Sequence, residues 1–151
     1  MIRTHWLAVG MAVSLASPLA LAADPAGMVK VSKGVVSIER SGEKLPATVG
    51  TRVMVNDRVR TGGDGSVGVT LLDNTLLSAG PNSLIVVDKF AFDNTTQDGK
   101  MAIHIRKGTL SVASGRIAKR TPESVDFHTP TSVLGVRGTE FVIEVEGDSD
   151  E

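Results

Sequence analysis

Apolar side chains recur at every second position through much of this chain. Val67, Val69 and Leu71 alternate with Ser66, Gly68 and Thr70. Met101, Ile103 and Ile105 alternate with Ala102, His104 and Arg106, and Phe141, Ile143 and Val145 with Val142, Glu144 and Glu146. A strand points successive side chains to opposite faces, so each run predicts a strand with one buried face. Val29 and Val31 fall on odd positions but Val36 and Ile38 on even ones, and Gly34 between them is where a bulge or tight turn can shift the parity.

Turn formers punctuate the runs: Ser41-Gly42, Asn56-Asp57, Gly62-Gly63-Asp64-Gly65, Asp73-Asn74, Pro81-Asn82, Asp98-Gly99, Lys107-Gly108 and Thr129-Pro130. Their spacing of about 8–12 residues is the rhythm of an all-β domain. Beyond the N-terminus no window sustains a helical apolar stripe. The expectation is an all-β fold with a Val/Ile/Leu core and strand edges that need protection.

The first residues do not belong to that pattern. Arg3 gives a positive start, residues 6–16 form a short apolar run, and Ser17-Pro18 breaks it. Ala20-Leu21-Ala22 then places small residues where a signal peptidase reads them. Residues 1–22 are expected to be a Sec-type signal peptide cleaved after Ala22, leaving a periplasmic or secreted product with no integral membrane segment. The rival, a retained anchor, needs about 20 apolar residues. Residues 23–146 then form the domain, and 147–151 a short acidic tail prone to fray.

Of the 151 residues, 16 are basic and 17 acidic. Losing residues 1–22 removes only Arg3 from this count, for a formal charge of −2 on the remainder. Such a balance gives no electrostatic reason to bind nucleic acid or anionic lipid. The chain has no cysteine, so export would leave the usual staple unused and stability must come from packing and backbone pairing. Beyond the leader the aromatic residues are Phe90, Phe92, Phe127 and Phe141 alone. That is a poor kit for stacking on bases or anchoring a ligand.

Candidate chemistry is sparse. His104 and His128 each lie on the polar parity of their strand, and nothing has the ligand spacing of a zinc site, so no metal and no cofactor are expected. No serine sits in a nucleophile elbow, and no enzymatic activity is expected. The Gly62–Gly65 loop carries Asp64 but no phosphate-neutralising lysine. Residues 93–99 resemble part of a calcium loop but lack the closing glutamate, and read as a polar hairpin loop. The arginines offer more. Arg58 and Arg60 flank Val59 beside Asp57, and Arg137 interrupts an aliphatic run before Gly138. Either Asp57 or Glu140 pairs with one of these guanidiniums and pins a strand crossing, or Arg137, with Arg58 and Arg60, binds a partner's carboxylate.

Taken together these segments resemble the FecR domain family. The matching residues are Asn56-Asp57-Arg58-Val59-Arg60-Thr61-Gly62, Gly65-Ser66, Leu72-Asp73-Asn74-Thr75, Pro81-Asn82-Ser83 and Gly108-Thr109-Leu110. Thr129-Pro130, followed by Val136-Arg137-Gly138-Thr139-Glu140-Phe141, is the most specific block. The likeness spans roughly residues 45–145. It implies a β-helix-like or rolled antiparallel sheet, with a β-sandwich as the alternative. It also implies a non-catalytic protein-binding or signalling module of the bacterial cell envelope. The best-known members regulate sigma factors from the inner membrane and receive a signal from a TonB-dependent transducer. Only five residues precede the apolar run here, so this chain is expected to resemble the exported members instead. A cell-wall or glycan-binding role is the other reading. The expected partner is an envelope protein, whose strand adds to the edge formed by residues 141–146.

Overall fold

The computed structural model describes residues 24–147. The expected signal peptide and residues 148–151 of the acidic tail lie outside them. The alternating runs become strands, and the fold is all-β. In chain order these are β1 (Pro25–Lys33), β2 (Val36–Arg40), β3 (Glu43–Pro46), β4 (Arg52–Met54), β5 (Arg58–Thr61), β6 (Ser66–Leu71), β7 (Leu76–Ala79), β8 (Leu84–Phe92) and β9 (Gly99–Ala113). A short helix α1 (Arg116–Arg120) and a 3₁₀ turn (Pro122–Ser124) lead to β10 (Val125–His128), β11 (Val133–Gly135) and β12 (Glu140–Val145).

These strands join in one rolled sheet along the path β3-β2-β5-β8-β9-β7-β6-β1-β4, with β10, β11 and β12 attached off it. Every ladder is antiparallel except the one between β9 and β10. The long strand β9 serves both halves of the roll. Its residues 99–107 pair with β8 and, in part, β10; residues 108–113 pair with β7 and β12. Sheet A is therefore β4-β1-β6-β7-β9-β12 and sheet B is β3-β2-β5-β8-β9-β10-β11.

Lys107-Gly108, expected as a turn, instead bends this strand in mid-course. Gly108 has φ +90°, and a Cβ there would run into the Oγ and Cα of Ser83. Only glycine fits both the torsion and the approach. Gly99 of the expected Asp98-Gly99 turn instead opens β9, the turn lying at residues 94–96, while other turn signals behave as their chemistry predicts. Ser41 and Gly42, both at positive φ, make the two-residue hairpin between β2 and β3. Gly34, at φ +65°, turns β1 into β2 at the expected parity change, and a further register shift falls between Val29 and Val31.

The core lies between the two sheets. In sheet A, Val29, Val69, Leu77, Val112 and Phe141 stand in register on the inner face; in sheet B, Ile38, Val59, Ile85 and Ile105 do so. All are buried except Phe141, which is half-buried. Each such aliphatic side chain contributes about 1.5–3 kcal/mol on full burial. Packing between the sheets leaves a void of only about 10 Å³, lined by Val53, Val67, Leu77, Ile85 and Leu110 among others.

Two features differ from expectation. The residues joining β9 to β10 form helix α1, too short to show an apolar stripe. The aliphatic run around Arg137 is also not one strand: β11 ends at Gly135, β12 begins at Glu140, and Val136-Arg137-Gly138-Thr139 is the connection between them.

Candidate interaction surfaces

Asp57 is fully buried at the turn between β4 and β5, where Asn56 takes φ +72°. Its carboxylate accepts Arg40 Nε at 2.8 Å, Arg40 Nη2 at 2.7 Å and the Met54 amide at 2.8 Å. Two parallel bonds from one guanidinium fix the geometry and tie β2 to the turn. The hydrogen bond to Asp57 raises the Arg40 pKa above its ordinary value, against the opposing effect of burial. The strand-pinning role expected of Asp57 is thus found, but its partner is Arg40 rather than Arg58, Arg60 or Arg137.

Arg58 and Arg60 both turn to Glu39 across the β2–β5 ladder, with Nε to carboxylate distances of 3.9 Å and 3.1 Å. Arg137 lies apart from them, because β8, β9 and β10 separate β5 from β11. It is exposed in the β11–β12 connection, and no ion pair among the described residues uses it. The three arginines do not form one site.

The other motif residues hold turns and joints. Gly62 donates its amide to the Val35 carbonyl and accepts at its own carbonyl from Gly65 and Asn82. Asp73 is buried and accepts from the Thr75 amide, the Thr75 hydroxyl and the Ile117 amide, so it anchors the start of α1. The sequence marks Asp73 as a turn residue within the family-like block 72–75, and its Asp-x-Thr spacing, that of an Asx turn, is the signal for the anchoring role. Thr129 closes the Pro130 turn, its amide bonding the Ser132 carbonyl and its hydroxyl accepting the Ser132 amide. Gly138 and Thr139 accept at their carbonyls from the Ser114 hydroxyl and amide. Phe141 packs edge-on against Phe127, with ring centroids 5.1 Å apart.

His104 and His128 are register partners on β9 and β10, with ring centroids 5.8 Å apart on the outer face of sheet B. Burial pushes the His104 pKa down, and the nearby Arg106 and His128 push the same way against Asp88. Among the described residues no serine or threonine is hydrogen-bonded to either ring, and no three potential ligands converge on a metal position.

The strand β12 is different. It pairs with β9 on one side and with nothing among the described residues on the other. The Ser114 amide bonds the Thr139 carbonyl, so the odd-numbered residues 139–145 direct their backbone groups to β9. The N–H and C=O groups of Glu140, Val142 and Glu144 therefore face the open edge. On the inner face, Phe141 and Val145 remain half-buried beside buried Ile143. On the outer face, Val142 is 64% exposed between Glu140 and Glu144.

Fold and surfaces define a small all-β domain organised on one bent strand that serves two sheets. The chain belongs to the FecR family: the family model described as FecR protein matches residues 57–151. The strands β1–β4 precede the matched stretch yet belong to the same rolled sheet. No curated protein matches the chain. A solved structure titled "Cell surface anchoring domain" is similar at 26% identity, over 40% of this chain and 82% of its own, with a TM-score of 0.39. Among the described residues, no helix is long and apolar enough to cross a membrane.

Proposed function

We propose that this protein is a non-catalytic protein-binding module of the bacterial envelope, exported by residues 1–22 and cleaved after Ala22. It captures an envelope protein by accepting one of its strands along residues 141–146. The observation that carries the reading is the open, six-residue edge of β12, with its half-buried inner face. Unpaired edges of this kind are templates for strand addition, in which main-chain hydrogen bonds give affinity and side-chain pockets give selectivity. Arg137, in water just before β12, supplies a guanidinium for a partner carboxylate. Arg58 and Arg60 are engaged with Glu39 and take no direct part.

Hydrogen exchange tests this reading. In the free protein the amides of Glu140, Val142 and Glu144 exchange fast, while those of Phe141 and Ile143 are protected by β9. Adding envelope extract slows the first group. Strong protection of Glu140, Val142 and Glu144 in the free monomer would refute the open edge.

A further inference from the structure

The side chains along β12 specify what the added strand should look like. Glu140, Val142, Glu144 and Glu146 share the outer parity, and all four are exposed. None of the three glutamates enters an ion pair among the described residues. The register neighbours of Glu140, Val142 and Glu144 on β9 carry no charge, being Ala113, Ser111 and Thr109, whereas continuing the register sets Lys107 beside Glu146. At Glu140 and Glu144 the edge thus presents negative charge that no cation among the described residues pairs. Its other face is hydrophobic, with half-buried Phe141 and Val145 flanking buried Ile143.

Like charges directly across a ladder destabilise pairing, and opposite charges stabilise it. A second copy of this chain is therefore a poor occupant. Antiparallel self-pairing centred on Val142 sets Glu140 opposite Glu144 twice, and centring on Ile143 sets Glu140 opposite Glu146. A strand with lysine or arginine beside the glutamates, and aliphatic residues beside the inner strip, meets both faces at once.

Building on the strand-addition reading, we propose that the partner of β12 is an extended segment of alternating aliphatic and basic residues. Its cations lie opposite Glu140 and Glu144, and a small or β-branched residue lies opposite Val142. The two glutamates exclude a second copy of the chain and acidic segments from the edge.

The test is fluorescence anisotropy of the purified protein with two labelled nine-residue peptides. One alternates valine with lysine and threonine; the other carries glutamate in place of each lysine. The basic peptide should bind roughly tenfold more tightly at low salt. The gap should narrow at high salt, and the double variant E140K/E144K should reverse the order. Equal binding of both peptides, with Glu140, Val142 and Glu144 amides protected, would overturn the charge selection and leave strand addition standing. No binding of either peptide and no protection of those amides would overturn strand addition, and this inference with it.

Discussion

The roll turns two unlike faces to solvent. Across the outside of sheet B one register row runs Glu39, Arg58, Val86, His104, His128, Val133. The corresponding row across sheet A runs Val31, Gly68, Ser78, Ser111, Val142. In the first, Glu39 pairs with Arg58 in the row and with Arg60 beside it. The second carries no charge, and beside its last member, Val142, Glu140 and Glu144 enter no ion pair among the described residues. Charge abundance therefore points to the wrong face. The open backbone edge, with Glu140 and Glu144 on it, lies instead at the margin of sheet A.

The contrast can be broken at its centre. Both faces depend on the bend in β9, so Gly108→Ala should have the largest effect. Forcing a side chain to φ +90° costs about 1–3 kcal/mol, and the clash with Ser83 adds a comparable overpacking cost. A loss of about 3 kcal/mol or more in urea-measured stability is expected, and a neutral outcome would show that the bend is not fixed by sterics.

Removing charges sharpens the distinction between pinned and unpinned groups. Asp57→Ala leaves Arg40 without its buried partner and exposes the Met54 amide to loss of its bond; a destabilisation of about 3 kcal/mol is expected. Arg58→Ala breaks a half-exposed pair and should cost under about 1 kcal/mol. Arg137→Ala should leave stability within about 0.5 kcal/mol. Thermal denaturation of the three variants gives the ranking directly.

The smallest expected effect belongs to the histidine pair. The folded-state pKa of His104 lies below its unfolded value, so the unfolded chain binds the proton more readily. Stability should therefore fall as pH drops through the ordinary histidine range near 6.5, and be insensitive to this group well above it. Comparison of unfolding at pH 7.5 and 5.5 checks the sign. The decline should be smaller in His104→Gln, which cannot take up the proton.

The strands were legible because a buried face writes itself as alternation: Val67, Val69 and Leu71 are all buried, and Ser66, Gly68 and Thr70 are not. Turns built on Ser41-Gly42 or Asn74 were legible because positive φ selects those residue types. Gly108 was misread because the same torsion serves a turn and a bend within a strand; only the position of Ser83 distinguishes them. The partner of Asp57 was hidden because Arg40 is 17 residues away, and nothing local marks which arginine will arrive. The break at Val136-Arg137-Gly138-Thr139 was hidden because its aliphatic flanks continue the strand pattern through an exposed loop. The open margin of β12 is a property of topology. Alternation assigned its two faces, but only the assembled sheet says which side lacks a neighbour.

The bent strand has one more consequence. Since β9 is a member of both sheets, the molecule has no seam along which one half could melt while the other endures. A strand docked on β12 lies one rung from β9 and braces both halves together. Occupancy at that remote rim should thus register as a rise in the melting temperature of the entire domain.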